Sequence, residues 1–99
     1  MGYPGALPYP SPNFRTGRTA ALSHIVLHTT EGNLESGLST LTNEYATMRK
    51  SSHYVVSDSV IYQLVDDDDT AWHAKDANPY SLGIEIVGRA GDPATWTPQ

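Results

Sequence analysis

His28, His53, His73 and Glu85 are the side chains whose types and settings could do chemistry. His28 closes the run His24-Ile25-Val26-Leu27-His28-Thr29-Thr30-Glu31-Gly32, in which a β-favouring apolar segment runs into polar residues and a Glu-Gly turn. That order places an imidazole at the carboxyl end of a strand, the rim where open α/β sheets collect ligands. An imidazole there can ligate a metal, move a proton or simply hydrogen bond, and the residue alone does not choose. Glu85 interrupts the apolar strand Ser81-Leu82-Gly83-Ile84-Glu85-Ile86-Val87-Gly88. Period two puts Leu82, Ile84 and Ile86 on one face and Gly83, Glu85 and Val87 on the other. A carboxylate in such a strand meets solvent or a cation, because burying it unpaired is costly.

The elements that must position these groups follow in order. Residues 1–22 hold Pro4, Pro8, Pro10 and Pro12 among Tyr3, Tyr9 and Phe14, which predicts an extended arm without regular ladders, its aromatics packed along the core rather than offered as a proline-rich ligand. Asn33 is a good N-cap for a helix whose apolar stripe is Leu34, Leu38, Leu41, Tyr45 and Met48. Ser51-Ser52-His53-Tyr54-Val55-Val56-Ser57 and Val60-Ile61-Tyr62-Gln63-Leu64-Val65 predict a hairpin. The acidic run 66–69 lacks the spacing of a calcium loop and is expected to be a solvated, self-repelling turn. Asn78-Pro79-Tyr80 predicts a turn before the Glu85 strand. Thr97-Pro98-Gln99 has the order of an N-cap and first helical turn, so a helix is expected to begin where the sequence stops.

At 99 residues, 38% hydrophobic and 17% charged, the chain has the makings of one small globular domain, here divided into the arm 1–22 and a domain portion 23–99. A net charge of -5 with 6 Lys and Arg offers no surface for a nucleic acid backbone. No run approaches membrane-spanning length, and no secretory leader opens the sequence, so synthesis in the cytoplasm is expected. Gly2 is not a myristoylation site, since Ala6 stands where Ser or Thr is required. The absence of cysteine excludes disulfides and thiolate metal ligands within the chain.

Ile25-Val26-Leu27-His28-Thr29-Thr30-Glu31-Gly32, Ser52-His53-Tyr54-Val55-Val56, Ala71-Trp72-His73-Ala74 and Asn78 followed by Ser81-Leu82-Gly83-Ile84-Glu85-Ile86-Val87-Gly88 stand in the order and spacing of type 2 N-acetylmuramoyl-L-alanine amidases. The chain resembles that family from Ser23 to Gly88; the family includes phage endolysins and is related to the peptidoglycan recognition proteins. The opening Tyr3-Pro4-Gly5-Ala6 and Pro12-Asn13-Phe14 are similar to the leader of actinobacterial-phage endolysins.

The resemblance implies an α/β fold with a central mixed β-sheet flanked by helices. It implies hydrolysis of the amide between N-acetylmuramic acid and L-alanine in peptidoglycan, by an antimicrobial, cell-wall-degrading enzyme made in a host cytoplasm and acting on the wall after release. It assigns His28 as a Zn2+ ligand, Glu85 as the catalytic acid/base, and His73, His53, Trp72 and Asn78 as substrate-binding residues. The family's two remaining zinc ligands fall beyond Gln99, which implies a domain truncated at its C-terminus, weak in zinc binding and inactive alone unless the missing segment is supplied; that segment or a wall-binding domain is the expected protein partner. Ser52 stands where some relatives carry a tyrosine, so the resemblance does not carry a tyrosine that polarises the amide over to this position. A His₃ zinc site from His28, His53 and His73 is the competing ligand set, and a non-catalytic peptidoglycan-binding module is the competing function.

Overall fold

The computed structural model describes residues 2–88. In chain order the elements are β1 (Leu7–Pro8), β2 (Phe14–Arg15), β3 (His24–Thr29), α1 (Leu34–Thr42), β4 (Tyr54–Val56), β5 (Ile61–Gln63), β6 (Thr70–Ala71), a 3-10 segment (Lys75–Tyr80) and β7 (Ser81–Ile86). Five strands form one mixed sheet in the order β1-β5-β4-β7-β3, and β2 pairs with β6 in a separate ribbon. β7 lies parallel to both β3 and β4, while β4 and β5 make the expected antiparallel hairpin. The α/β architecture with a central mixed sheet is therefore as anticipated.

One row of paired residues crosses the sheet from His28 to Glu85, Val55 and Tyr62. Side chains paired in this way share a face, so the row runs from a polar end into the core. Val55 is fully buried and joins Leu38 and Leu41 of α1 with Leu64, Val65 and Ala71, and Tyr62 packs against that cluster. On the reverse face Leu82 and Ile84 adjoin Tyr54, Val56 and Ile61, and Ile25 and Leu27 stay largely exposed. The period-two division of β7 is the one its sequence predicts.

α1 starts where expected, with Asn33 Oδ1 accepting from the Ser36 N–H at 2.8 Å. It stops sooner. Asn43 turns extended and its Oδ1 accepts from the Tyr45 N–H, a local bond that competes with the next helical turn. Tyr45 and Met48 consequently leave the stripe and lie exposed.

The arm corrects a second expectation, because it does form ladders. β1 pairs parallel with β5, and the pattern continues through Tyr9 and Ser11 N–H groups to the Gln63 and Leu64 carbonyls. Pro8 is tolerated because β1 is an edge strand. Polar rather than apolar groups anchor the arm. Ser11 Oγ donates to Leu41 O, and the fully buried Asn13 donates through Nδ2 to Asn43 O and Lys50 O. Of the aromatics, Tyr9 meets Tyr62 edge-on at 5.5 Å, while Tyr3, Tyr9 and Phe14 remain on the surface.

The acidic run 66–69 is not merely solvated. Asp67 Oδ1 accepts from Tyr54 OH and Asp69 Oδ1 from the N–H of Gly17, a residue whose φ of 78° suits glycine. The phenol's burial, together with its bond to Asp67, raises the Tyr54 pKa to about 12. The helix expected at Thr97-Pro98-Gln99 lies outside the described residues.

Candidate active site

The carboxyl rims of β3 and β7 open on a cleft of about 660 Å3 whose lining includes His28, Glu31, Arg49, Lys50, Trp72, His73, Lys75, Asn78 and Glu85. β3 and β7 are stapled together beyond the last paired residues: the Thr30 N–H donates to Ile86 O, the Glu31 N–H to Gly88 O and the Gly88 N–H to Thr30 Oγ1. This fixes the rim on which His28 stands.

His28 and Glu85 are direct register partners on these parallel strands, so their side chains leave the sheet on one face and enter the same cleft. Among the described residues the Glu85 carboxylate has no hydrogen-bond partner. Burial without a donor disfavours its charged form and raises its pKa to about 7, against the opposing pull of Lys50. Burial also lowers the pKa of His28, so its imidazole is neutral at physiological pH with a lone pair to offer.

His73 lies behind His28. Its Nδ1 is 3.2 Å from His28 Nε2 and its Nε2 is 3.0 Å from Ser81 Oγ. Its ring rests on Gly83 so closely that a Cβ there would come within 2.6 Å of Cγ. Burial, reinforced by His28, His53 and Arg18, lowers the His73 pKa to about 4. Asn78 holds the backbone of this turn, Oδ1 accepting from the N–H groups of His73 and Ala74 at 3.1 and 2.7 Å. Trp72 lines the cleft beneath the Arg49 guanidinium, 5.3 Å from the ring centroid. Arg49 is itself pinned by Asn13 Oδ1 and Pro12 O.

His53 is placed differently from the substrate-facing position assigned to it. It is fully buried, accepts at Nδ1 from the Gly83 N–H at 3.0 Å, and therefore carries its proton on Nε2, 2.8 Å from Asp69 O. Both ring nitrogens are committed to backbone, which leaves none for substrate and removes His53 from the His₃ alternative. Among the described residues no three His, Asp or Glu side chains form a set able to hold a metal ion.

Two contributors escaped the sequence reading. Arg18 reaches from the arm to Asp67 O (2.8 Å), Pro79 O (3.3 Å) and Ser81 O (3.0 Å), tying the acidic turn to the start of β7. Its guanidinium, 3.0 Å from His53 Nε2, meets a protonated nitrogen, so the contact is not a hydrogen bond; its charge adds to burial in keeping that ring neutral. Lys50 is the cation facing Glu85. Neither position belongs to a local pattern that could have marked it.

Residues 18–99 match the protein family described as N-acetylmuramoyl-L-alanine amidase. The chain belongs to the type 2 N-acetylmuramoyl-L-alanine amidase family. It is 38% identical over 92 residues to N-acetylmuramoyl-L-alanine amidase A of Achromobacter lyticus, an alignment covering 91% of this chain and 50% of the relative. The chain thus spans about half the length of the curated amidase it matches. Among solved structures it is similar to a selenomethionine derivative of AmpD, with a TM-score of 0.78, 26% identity, and coverage of 97% of this chain and 67% of that one. It is also similar to the amidase AmiD of E. coli, solved with anhydro-N-acetylmuramic acid-L-Ala-D-gamma-Glu-L-Lys, with a TM-score of 0.61, 30% identity, and coverage of 78% of this chain and 35% of that one.

Proposed function

We propose that this chain is the N-terminal part of a zinc-dependent amidase that cuts the bond between N-acetylmuramic acid and L-alanine in peptidoglycan, as an endolysin acting on the cell wall after release from a host cytoplasm. The observation that carries the reading is the pairing of a neutral imidazole and a carboxylate of raised pKa on adjacent parallel strands in one cleft. A binding module would need no proton acceptor poised near neutrality. Family membership supports the bond that is cut, and the substrate-derived ligand of AmiD supports the glycopeptide class. The cleft also gathers Arg49, Lys50 and Lys75, half of the 6 basic residues in a chain of net charge -5, which suits a stem peptide bearing carboxylates.

The donor chemistry of His28 fits one corner of a zinc site, with the further ligands supplied from outside the described residues, since catalytic zinc takes three protein ligands. Zinc, when bound, supplies Lewis acidity that makes water a better nucleophile and polarises the scissile carbonyl. The chain's own groups do the rest. Glu85, near half-ionised at neutral pH, takes the proton of the attacking water on a carboxylate oxygen and returns it to the departing amine of L-alanine. Trp72 offers an apolar wall, and Asn78 holds the turn that carries it and His73.

The test is release of stem peptides from purified cell walls by the full-length protein, followed by mass spectrometry with and without a chelator. Zinc-restored release of peptides with a free L-alanine amino group is expected. Wall binding without any release would favour the non-catalytic module, and release unaffected by chelation would remove zinc from the account.

A further inference from the structure

Asn13 belongs to the arm and is fully buried, yet its polar groups are spent on the wall of the cleft. Nδ2 donates to Asn43 O at 3.1 Å and to Lys50 O at 2.8 Å, while Oδ1 accepts from Arg49 Nε at 2.7 Å. A carboxamide is the side-chain group that supplies two N–H donors and a carbonyl acceptor together. The main chain of Asn13 works on the same segment. Its carbonyl accepts from Ser51 Oγ, which in turn accepts from the Trp72 N–H at 2.9 Å. One residue thus ties both ends of the 43–50 loop, where the chain leaves α1 early, and links that loop to Trp72. It stands ahead of residue 18, where the family match begins.

The consequence falls on Arg49, which lines the cleft. Among the described residues its guanidinium meets two neutral acceptors, Asn13 Oδ1 and Pro12 O, and the Trp72 ring at 5.3 Å, but no carboxylate. The N–H groups of Nη1 and the second N–H of Nη2 keep no protein acceptor there, and they make up the fork that grips a carboxylate with two bonds. A cation fixed in this way before a ligand arrives does not surrender its rotamer freedom on binding. We infer that Asn13 is a positioning residue for substrate selection: it holds the Arg49 guanidinium over Trp72 so that the cleft prefers a peptide with free carboxylates to one whose carboxylates are amidated. The choice of a stem peptide as ligand rests on the proposed amidase function. The pinned, unpaired cation is a property of the chain itself. This gives the buried Asn13 carboxamide a task that the proton transfer at Glu85 does not.

The peptide L-Ala-D-gamma-Glu-L-Lys, part of the ligand solved with AmiD, has no muramoyl amide to cut. Calorimetric titration of the full-length protein with this peptide and with its carboxyl-amidated form therefore reads binding without turnover. The parent is expected to bind the free-carboxylate form about tenfold tighter. Asn13→Ala is expected to bring the two affinities to within about threefold, and to remove no further preference when combined with Arg49→Ala, because it acts through that residue. A merely structural role would weaken both peptides alike, and that result overturns the inference. So do equal affinities in the parent, and so does an undiminished preference in Asn13→Ala with its circular dichroism intact. If Asn13→Ala does not fold, Arg49→Lys takes its place, keeping the charge without the planar fork that spans Asn13 Oδ1 and Pro12 O. Loss of the preference in that variant supports positioning, and its retention overturns it. Bond cleavage enters none of these titrations, so a protein that shows the preference but releases no stem peptide from walls fails the amidase reading alone.

Discussion

Glu85 sits where folding and the proposed proton transfer make opposite demands. The fold raises its pKa from its ordinary 4.5 to about 7, so between those values the folded chain holds a proton that the unfolded chain has lost. Its contribution to stability is therefore full below the unfolded value and is lost as pH rises through the folded one. Glu85→Gln is expected to flatten this decline in urea unfolding at a series of pH values, gaining about 1–2 kcal/mol at pH 8 after discounting for screening by water in the cleft. A decline that persists in the variant would show that Glu85 is not its source. As the proposed base, the same group must be ionised to act. Amidase kcat/KM should accordingly fall about tenfold per unit as pH drops below about 7, a profile that rate measurements across pH 5–8 would check.

At the scale of elements, the approach of the 72–74 turn to β7 carries the site. Gly83→Ala places a methyl group within 2.6 Å of the His73 ring, and the ring, already held by Asn78 and Ser81, has little room to retreat. A loss of about 1–3 kcal/mol is expected from such overpacking, measurable as a lower urea midpoint. Arg18 braces the same region from the arm. Arg18→Lys keeps the charge but cannot span the Asp67, Pro79 and Ser81 carbonyls, so a loss of about 2–3 kcal/mol is expected where a conservative exchange would cost nothing. Local signals made much of this scale legible. The period of β7 separated Glu85 from Leu82 and Ile84, and Asn33 marked the start of α1. The end of α1 was not legible, because the apolar stripe continues through Tyr45 and Met48 while the Asn43 side chain diverts the backbone. Arg18 and Asn13 were invisible for another reason: they act on residues 30 or more positions away, and no short window contains both partners. The carboxylates at 66–69 misled because like charges predict solvation, whereas distant N–H and O–H donors claim Asp67 and Asp69.

Across the described residues, one face of the five-stranded sheet carries two chemistries side by side. Its front carries the apolar cluster of α1 and Val55 and, beside it, the cleft with His28 and Glu85. The ends of β3 and β7 are clamped by the Thr30, Glu31 and Gly88 hydrogen bonds, which holds the two side chains in their relation. The family resemblance was legible because its segments coincide with the parts that make this rim. The assignment of His53 to substrate was not corrected by sequence, since a buried bridging ring and a cleft-facing ring look alike in a string of residues. The measurement that bears most directly on the paired His28–Glu85 centre compares parent protein and Glu85→Gln on purified cell walls, following both wall binding and stem-peptide release. The account predicts equal binding and a release rate reduced about 100-fold or more in the variant. Undiminished release by Glu85→Gln would contradict it.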